Sequence, residues 1–126
     1  VEETLRYWGS AKMIFPRIAL RDVEIDGVTI AHRERVTASL AAADRDPEKF
    51  TNPEVCDIER KGANRHIAFG KGIHTCLGAP LARLEGEVAL QVLLQRYPAL
   101  HLDIPAEDLR FRDTFLRGFA EIPLRY

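Results

Sequence analysis

One junction constrains the fold of this chain more than any other feature: a glycine-rich loop that runs directly into a long apolar helix pattern. The loop, residues 68–78, reads Ala-Phe-Gly-Lys-Gly-Ile-His-Thr-Cys-Leu-Gly, and its glycines let the backbone turn tightly and let another group approach closely. Pro80 is tolerated in the first turn of a helix, and Pro98 ends the pattern. The chain is therefore predicted to fold with Cys76 just ahead of a helix N-terminus.

The helix after this loop is expected to carry a continuous apolar stripe. Leu77, Leu81, Leu84, Val88 and Val92 are predicted to share one face, which Leu90, Leu93 and Leu94 are expected to widen. A stripe of this kind is usually buried against another element, so it predicts a core position for the helix.

The other predicted elements are short. Glu2–Trp8 is predicted to be helical, with no helix start signal ahead of it, and residues 40–43 are predicted to form one helical turn. Strands are predicted at 13–15, 23–25, 28–30, 35–39, 100–104 and 121–126, and Asp26-Gly27 favours a two-residue hairpin turn. Residues 44–66 lack apolar periodicity and are predicted to be irregular loop. The predicted fold class is α+β, mainly helical.

Composition restricts the possible partners. The 126 residues carry 18 basic and 19 acidic side chains and are 46% hydrophobic. This is typical of a globular chain that forms one domain and has no general attraction to nucleic acid or anionic membrane. Two cysteines are too few for a disulfide framework, so free thiols in the cytoplasm are expected. Because Val1 stands inside a helix pattern without an N-cap, the chain is expected to be part of a longer one.

Cys76 is the residue best placed for chemistry. The unpaired amides and positive dipole end of a helix N-terminus stabilise a thiolate, which serves as a nucleophile or a metal ligand. Thr75 breaks the Gly-x-Gly-x-x-Gly pattern of a phosphate cradle. Structural zinc needs more closely spaced ligands than Cys56, His66, His74 and Cys76 offer, and covalent haem needs Cys-x-x-Cys-His. Two other roles of Cys76 remain as alternatives: a nucleophile paired with His74, and a buried structural cysteine.

The string Phe69-Gly-x-Gly-x-His74-x-Cys76-Leu77-Gly78, followed by Leu-Ala-Arg at 81–83, resembles the haem-binding signature of the cytochrome P450 superfamily in its soluble bacterial form. Glu3-Thr-Leu-Arg6 is similar to the Glu-x-x-Arg of that family's K helix, and residues 44–60 are similar to its meander. The resemblance implies the C-terminal portion of the P450 fold: the end of the K helix, short β-hairpins, meander, Cys loop, L helix and C-terminal strands. Residues 1–126 would be the haem-binding part of a single domain.

This resemblance implies a role for each site residue. Cys76 would ligate the iron of haem b, iron protoporphyrin IX, as a thiolate. Phe69 would pack on the proximal side of the haem. The haem-site set is completed by Arg17 and His74 as propionate partners, by backbone amides from Leu77 to Ala79 beside the sulfur, and by the small residues Gly70, Gly78 and Ala82.

In the family, the Glu-x-x-Arg pair is buried and anchors the meander, often with a second arginine. Here Val55 stands where many members carry that arginine, and Arg45 or Arg60 is expected to replace it. Asp44 replaces a usual Asn, and Cys56 a usual aromatic residue.

The implied activity is that of a haem-thiolate monooxygenase, which inserts one atom of dioxygen into a small organic substrate with electrons from a ferredoxin or flavodoxin. No catalytic residue of the distal side is recognised within the 126 residues, which alone are expected to be inactive. The alternatives are a truncated or decayed, non-catalytic fragment and a cysteine redox protein without haem.

Overall fold

The computed structural model describes all 126 residues. Its helices are α1 (Glu2–Trp8), α2 (Leu40–Ala43) and α3 (Ala79–Arg96), and its strands are β1 (Arg17–Ile18), β2 (Val23–Ile25), β3 (Val28–Ile30), β4 (Arg35–Val36), β5 (His101–Leu102) and β6 (Leu124–Arg125). Three 3₁₀ turns lie at Ala63–Arg65, Gly72–His74 and Ala106–Asp108. Helical residues outnumber strand residues, but turns and loops make up most of the chain, so the mixed class is compatible and "mainly helical" overstates the helix content.

The strands form three separate antiparallel pairs, β1 with β4, β2 with β3, and β5 with β6. The β2–β3 hairpin turns at Asp26 and Gly27, which both have positive φ angles of 49° and 77°. Two successive left-handed residues fit the right-handed twist of a hairpin, which confirms the turn predicted from Asp-Gly. In β1–β4, Arg17 lies opposite Val36.

Several predicted boundaries were too long. The predictions for α1, α2, β2 and β3 are confirmed, whereas the strands expected at 35–39, 100–104 and 121–126 shrink to two residues each. Residues 13–15 form only an isolated bridge from Met13 to Ser39, and β1 was not predicted. Ser39 leaves the strand because its Oγ accepts the amide of Ala42 at 3.1 Å and caps α2.

The small core lies beside α1 and is unusually polar. Nine of the 126 residues are buried, and four of these carry polar side chains. The buried set consists of Glu3, Arg6, Leu40, Asp44, Phe50, Ala63, His66, Ala68 and Ala79. Since ionisable groups are rarely buried without partners, this core is organised by hydrogen bonds and ion pairs as much as by apolar contact.

The apolar stripe of α3, expected from its spacing to be core, is not buried within this chain. Leu81, Leu84 and Val88 are 58%, 57% and 50% exposed, and only Ala79 of the helix is buried. Leu90 does not widen the stripe either, because two residues beyond Val88 place it about 200° round the helix. The helix is therefore apolar on opposite sides, a pattern typical of a helix that is buried all round.

The accessible surface of the chain leads to the same conclusion. It amounts to 10064 Å², whereas a compact monomer of 14.3 kDa is expected to expose about 6,800 Å². The 126 residues therefore do not enclose an ordinary single core, because much of the apolar surface of α3 and of the hairpins stays exposed. None of the helices is long and apolar enough to cross a bilayer.

Candidate functional site

The centre of the buried cluster is the side chain of Arg6 on α1. Its Nε and one terminal nitrogen donate to the two carboxylate oxygens of Glu3 at 2.7 and 2.8 Å. The terminal nitrogens also donate to the carbonyl oxygens of Asp44 at 2.7 Å, Pro53 at 2.9 Å and Val55 at 3.1 Å. A single guanidinium thus joins one helix to both ends of the loop at 44–55.

Arg60 supplies the second arginine of this cluster. Its Nε donates to Glu3 Oε1 at 3.1 Å, and its terminal nitrogens donate to the carbonyl oxygens of Thr51, Asn52 and Val55. Arg45 and Arg60 were the two candidates to replace the family's arginine at the position of Val55. Of these two, Arg60 is the one that contacts Glu3.

Arg45 lies outside the cluster. Its Nε pairs at 3.1 Å with Glu54, whose side chain is 74% exposed, and its terminal nitrogen donates to the carbonyl of Tyr7. The guanidinium also stacks 4.5 Å from the centre of the Tyr7 ring. Arg45 thus ties the loop to α1 without taking part in the buried pair.

The charges in the cluster stabilise each other. The Arg6 guanidinium, with the amide of Asp57 and with Arg60, lowers the pKa of Glu3 to about 2 although burial opposes the charge. Hydrogen bonding to Glu3 in turn raises the pKa of Arg6. Both groups are ionised at any physiological pH, so the cluster is a permanent ion pair and not a proton-transfer site.

Asp44 and His66 fix the segment that enters the glycine-rich loop. Asp44 Oδ1 accepts the amide of Ile67 at 2.7 Å, and His66 Nδ1 accepts the amide of Ala68 at 3.1 Å. Burial raises the pKa of Asp44 above its usual value. Gly9, directly after α1, lets Ala68 pack closely against the end of this helix. A Cβ at position 9 would lie 2.8 Å from the Leu5 carbonyl oxygen and 3.2 Å from Ala68 Cβ.

The loop that carries Cys76 is closed by its own backbone. The amide of Cys76 donates to the carbonyl of Phe69 at 2.9 Å, and the amide of Ala79 donates to the carbonyl of Cys76 at 3.2 Å. Gly70 and Gly72 have φ angles of 73° and 80°, in the left-handed region that favours glycine. The predicted position of Cys76, directly before the N-terminus of the 18-residue helix α3, is confirmed.

The Cys76 thiol is exposed, so the alternative of a buried structural cysteine is wrong for this chain. Beside it in sequence, Ile73 and Leu77 are 97% and 99% exposed. The amides of Leu77 and Gly78 donate no hydrogen bond within the chain. This surface therefore combines a thiol, two free amides and exposed apolar side chains. Such a combination suits a flat apolar group with a metal at its centre.

The chain offers no alternative metal centre, because no three His, Cys, Asp or Glu side chains cluster anywhere. A metal at Cys76 would have a single protein ligand from this chain. A single thiolate donor would fit a metal that is already held by a macrocycle, as in haem, and does not fit structural zinc.

The other expected site residues are distributed as follows. Phe69 is half-buried, while His74, Gly78 and Ala82 are exposed within the loop or on the first turns of α3. Arg17 lies on β1, with an exposed side chain that makes no ion pair. A Cβ at Gly78 would meet Cys76 Sγ at 3.8 Å, an ordinary contact, so nothing within this chain requires glycine there.

Sequence reasoning missed a second ion-pair cluster next to the loop. Arg83 on α3 donates to both carboxylate oxygens of Glu2 at 2.7 and 3.2 Å, and its guanidinium lies 4.9 Å from the centre of the Phe69 ring. The pair lowers the pKa of Glu2 and raises that of Arg83. Because 81 residues separate the partners, no local pattern could indicate the contact.

Comparison with known proteins identifies the family. The family model described as "Cytochrome P450" matches residues 1–119. The chain belongs to the cytochrome P450 family. The fold class inferred from the resemblance is thereby confirmed at the level of the P450 fold.

Among individual relatives, the P450 PksS of polyketide biosynthesis in Bacillus subtilis is 44% identical over 125 residues, which are 98% of this chain and 31% of the relative. The mycinamicin IV hydroxylase/epoxidase of Micromonospora griseorubida is 50% identical over 111 residues, 87% of this chain and 28% of that P450. The chain thus spans a little under one third of the length of these P450s.

Solved P450 structures match the fold closely. P450BioI in complex with a hexadec-9Z-enoic acid ligated acyl carrier protein gives a TM-score of 0.90 at 47% identity, covering 99% of this chain and 31% of that one. The tirandamycin C-bound P450 monooxygenase TamI gives 0.93 at 44% identity, covering 98% of this chain and 31% of that one.

Proposed function

We propose that residues 1–126 are the C-terminal haem-binding part of a single cytochrome P450 domain, and that Cys76 ligates the iron of haem b. The observation that supports this most is the exposed Cys76 thiol at the start of α3, between Ile73 and Leu77, which are almost fully exposed. The excess accessible surface and the two-sided apolar pattern of α3 agree with a chain whose faces are covered by the rest of a P450 domain.

Each residue has a defined part in this proposal. Phe69 packs beside the haem, and the amides of Leu77 and Gly78 are free to donate to the sulfur and set its electron density. The exposed side chains of Arg17 and His74 bind the two propionates by charge-assisted hydrogen bonds. Gly70, Gly78 and Ala82 leave room for the ring.

The parent protein would act as a monooxygenase. When bound, the haem supplies activation of dioxygen, with electron donation from the thiolate favouring cleavage of the O–O bond. The part of this chain is to present the sulfur to the iron, exclude water with Phe69 and orient the ring through Arg17 and His74. The substrate would be a small organic molecule, and the setting cytoplasmic.

Electrons would come from an acidic ferredoxin or a flavodoxin that docks near the Cys loop. Of the basic residues close to Cys76 in sequence, Arg60 and Arg83 are neutralised by glutamates, and Arg65 donates to the Lys49 carbonyl. Lys61 and Lys71 are exposed and make no ion pair. We expect Lys71→Glu to slow association with the donor at low salt, since rim charges act mainly on encounter rates.

The ligation proposal is tested in the parent protein with two cysteine variants. Cys76→Ser should abolish the thiolate-type absorption band of the reduced carbonyl complex, while Cys56→Ser should leave it unchanged. Cys76→His serves as a second variant, since it should retain haem but shift the spectrum to that of an imidazole ligand. A thiolate band that survives in Cys76→Ser would overturn the proposal.

A further inference from the structure

A cluster of four side chains lies between α1, α3 and the segment that leads into the Cys loop. Glu2 comes from α1, Arg83 from α3, and His66 and Phe69 from the segment before Cys76. Glu2 and Arg83 are joined by two hydrogen bonds at 2.7 and 3.2 Å. These residues are distinct from the Glu3–Arg6–Arg60 cluster, which anchors the loop at 44–60.

The planar guanidinium of Arg83 performs two tasks at once. One edge pairs with the Glu2 carboxylate, and the group also lies 4.9 Å from the centre of the Phe69 ring, within range of a cation–π contact. Only an arginine can combine a bidentate ion pair with stacking on an aromatic face, because the ammonium of lysine is not planar. The ring of Phe69 is therefore restrained by a charge fixed from α1.

His66 lies beside the same ring. Its side chain is 1% exposed, and its ring lies 6.1 Å from that of Phe69, centre to centre. Its Nδ1 accepts the Ala68 amide, so its other ring nitrogen, Nε2, is the one that faces Glu2. Nε2 lies 3.2 Å from Glu2 Oε2 but is not aligned for a hydrogen bond.

Phe69 connects this cluster to Cys76 through the backbone. The carbonyl of Phe69 accepts the amide of Cys76 at 2.9 Å, the bond that closes the loop. A shift of Phe69 would therefore move or break the one hydrogen bond that fixes the Cys76 amide.

We infer that Glu2 and Arg83 are positioning residues for Cys76: the ion pair clamps Phe69, and Phe69 holds the Cys76 loop in the shape needed for ligation. The inference rests on the proposed function, since it assigns the clamp to the iron ligand. Loss of the clamp loosens the loop and admits water to the sulfur without removing any group that touches the metal.

The test uses the haem-loaded parent protein and two measurements. Residue-resolved hydrogen exchange reports the Cys76 amide, and the rate at which the reduced carbonyl complex loses its thiolate band reports the ligand. Arg83→Gln should speed both severalfold, because the ion pair is partly exposed and a bond that opens more often exchanges in proportion. Arg83→Lys keeps the positive charge but lacks the planar guanidinium. Its two rates should lie between those of wild type and those of Arg83→Gln.

Matched variants separate positioning from general destabilisation. Arg96→Gln removes an exposed arginine of the same helix that makes no ion pair, and it should change neither measurement. Phe69→Leu removes the ring, and Arg83→Gln added to it should have little further effect, because the two act through one contact. Glu2→Gln is a second route to the same loosening if Arg83→Gln folds poorly.

The outcomes distinguish the inference from the proposed function. Wild-type rates in both Arg83→Gln and Glu2→Gln, or effects of Arg83→Gln and Phe69→Leu that simply add, would overturn the clamp. A wild-type parent protein that shows no thiolate band would overturn the proposed function instead, and the exchange of the Cys76 amide would still decide whether the clamp fixes the loop.

Discussion

Arg6 and Glu3 form a two-point ion pair whose side chains are 0% and 3% exposed. The guanidinium is also saturated by the carbonyl oxygens of Asp44, Pro53 and Val55. A buried charge with every hydrogen bond satisfied costs little as long as both partners are present, but the loss of one partner leaves an uncompensated charge. The pair is therefore a point at which one substitution should unfold a large part of the chain.

Glu3→Gln is expected to lower the free energy of unfolding of the parent protein by about 3–5 kcal/mol, because it strands the buried charge of Arg6. Urea titration measures the change. Glu54→Gln is the matched control, since its ion pair with Arg45 is exposed and should contribute less than about 1 kcal/mol. Equal effects of the two substitutions would contradict the role assigned to Glu3.

The pairing within α1 was predictable, but its setting was not. Residues three apart on a helix can pair, and this spacing predicted the Glu3–Arg6 contact. The carbonyl acceptors arrive from residues 38 to 49 positions away, in a segment without any periodic pattern. Long-range contacts of irregular loops leave no trace in local sequence, and only the family resemblance indicated that this pair is buried.

Acid should weaken the protein through Glu3. Its pKa falls from the usual 4.5 to about 2 in the folded state because of Arg6, so the folded protein binds this proton more weakly than the unfolded chain. The stabilisation is fully present above pH 4.5 and is lost as the pH falls through about 2. Unfolding free energies measured between pH 5 and 2 should decline less steeply for Glu3→Gln than for wild type, and parallel curves would count against the assignment.

Asp44 should have the opposite pH dependence. Burial raises its pKa, so the folded state holds the proton more tightly, and stability falls as the pH rises from 3.8 through the raised value. Asp44→Asn keeps an oxygen for the Ile67 amide and removes the buried charge. It should stabilise the protein at pH 7 by about 1 kcal/mol or less.

The control for Asp44 is Asp57→Asn. Asp57 also accepts a backbone amide, that of Glu59 at 3.0 Å, but is exposed, so its replacement should change stability little. Thermal unfolding at pH 7 compares the two variants with wild type. A lower melting temperature for Asp44→Asn would show that its attraction to Arg6 and His66 outweighs the effect of burial.

The sequence pattern located α3 correctly, but apolar spacing alone does not give the environment of the helix. Apolar spacing fixes which residues share a face, and it predicted both the start and the end of the helix to within a few residues. Apolar spacing does not show whether the element that packs on that face belongs to the same 126 residues. The exposed Leu81 and Leu84 show that the partner surface is not provided by these 126 residues.

The isolated 126 residues should therefore not behave as a well-packed protein. Leu84, Val88, Val92 and Leu93 line an apolar groove on α3, and uncovered apolar surface of this extent favours aggregation or a state with fluctuating packing. The isolated chain should bind the dye ANS and lack a sharp near-ultraviolet circular dichroism spectrum, while far-ultraviolet signals of helix remain.

Haem added to the isolated chain should bind weakly through Cys76, and oxidation of an organic substrate with a reductase should be absent, since none of its residues is assigned to the distal side. Leu84→Glu combined with Val88→Glu should reduce ANS binding and aggregation of the isolated chain, because it charges the groove. The same pair of substitutions in the parent protein should be strongly destabilising if another part of the domain covers that face. A sharply folded, monomeric isolated chain that oxidises substrate would contradict both the exposure argument and the assignment of these residues to one part of a larger domain.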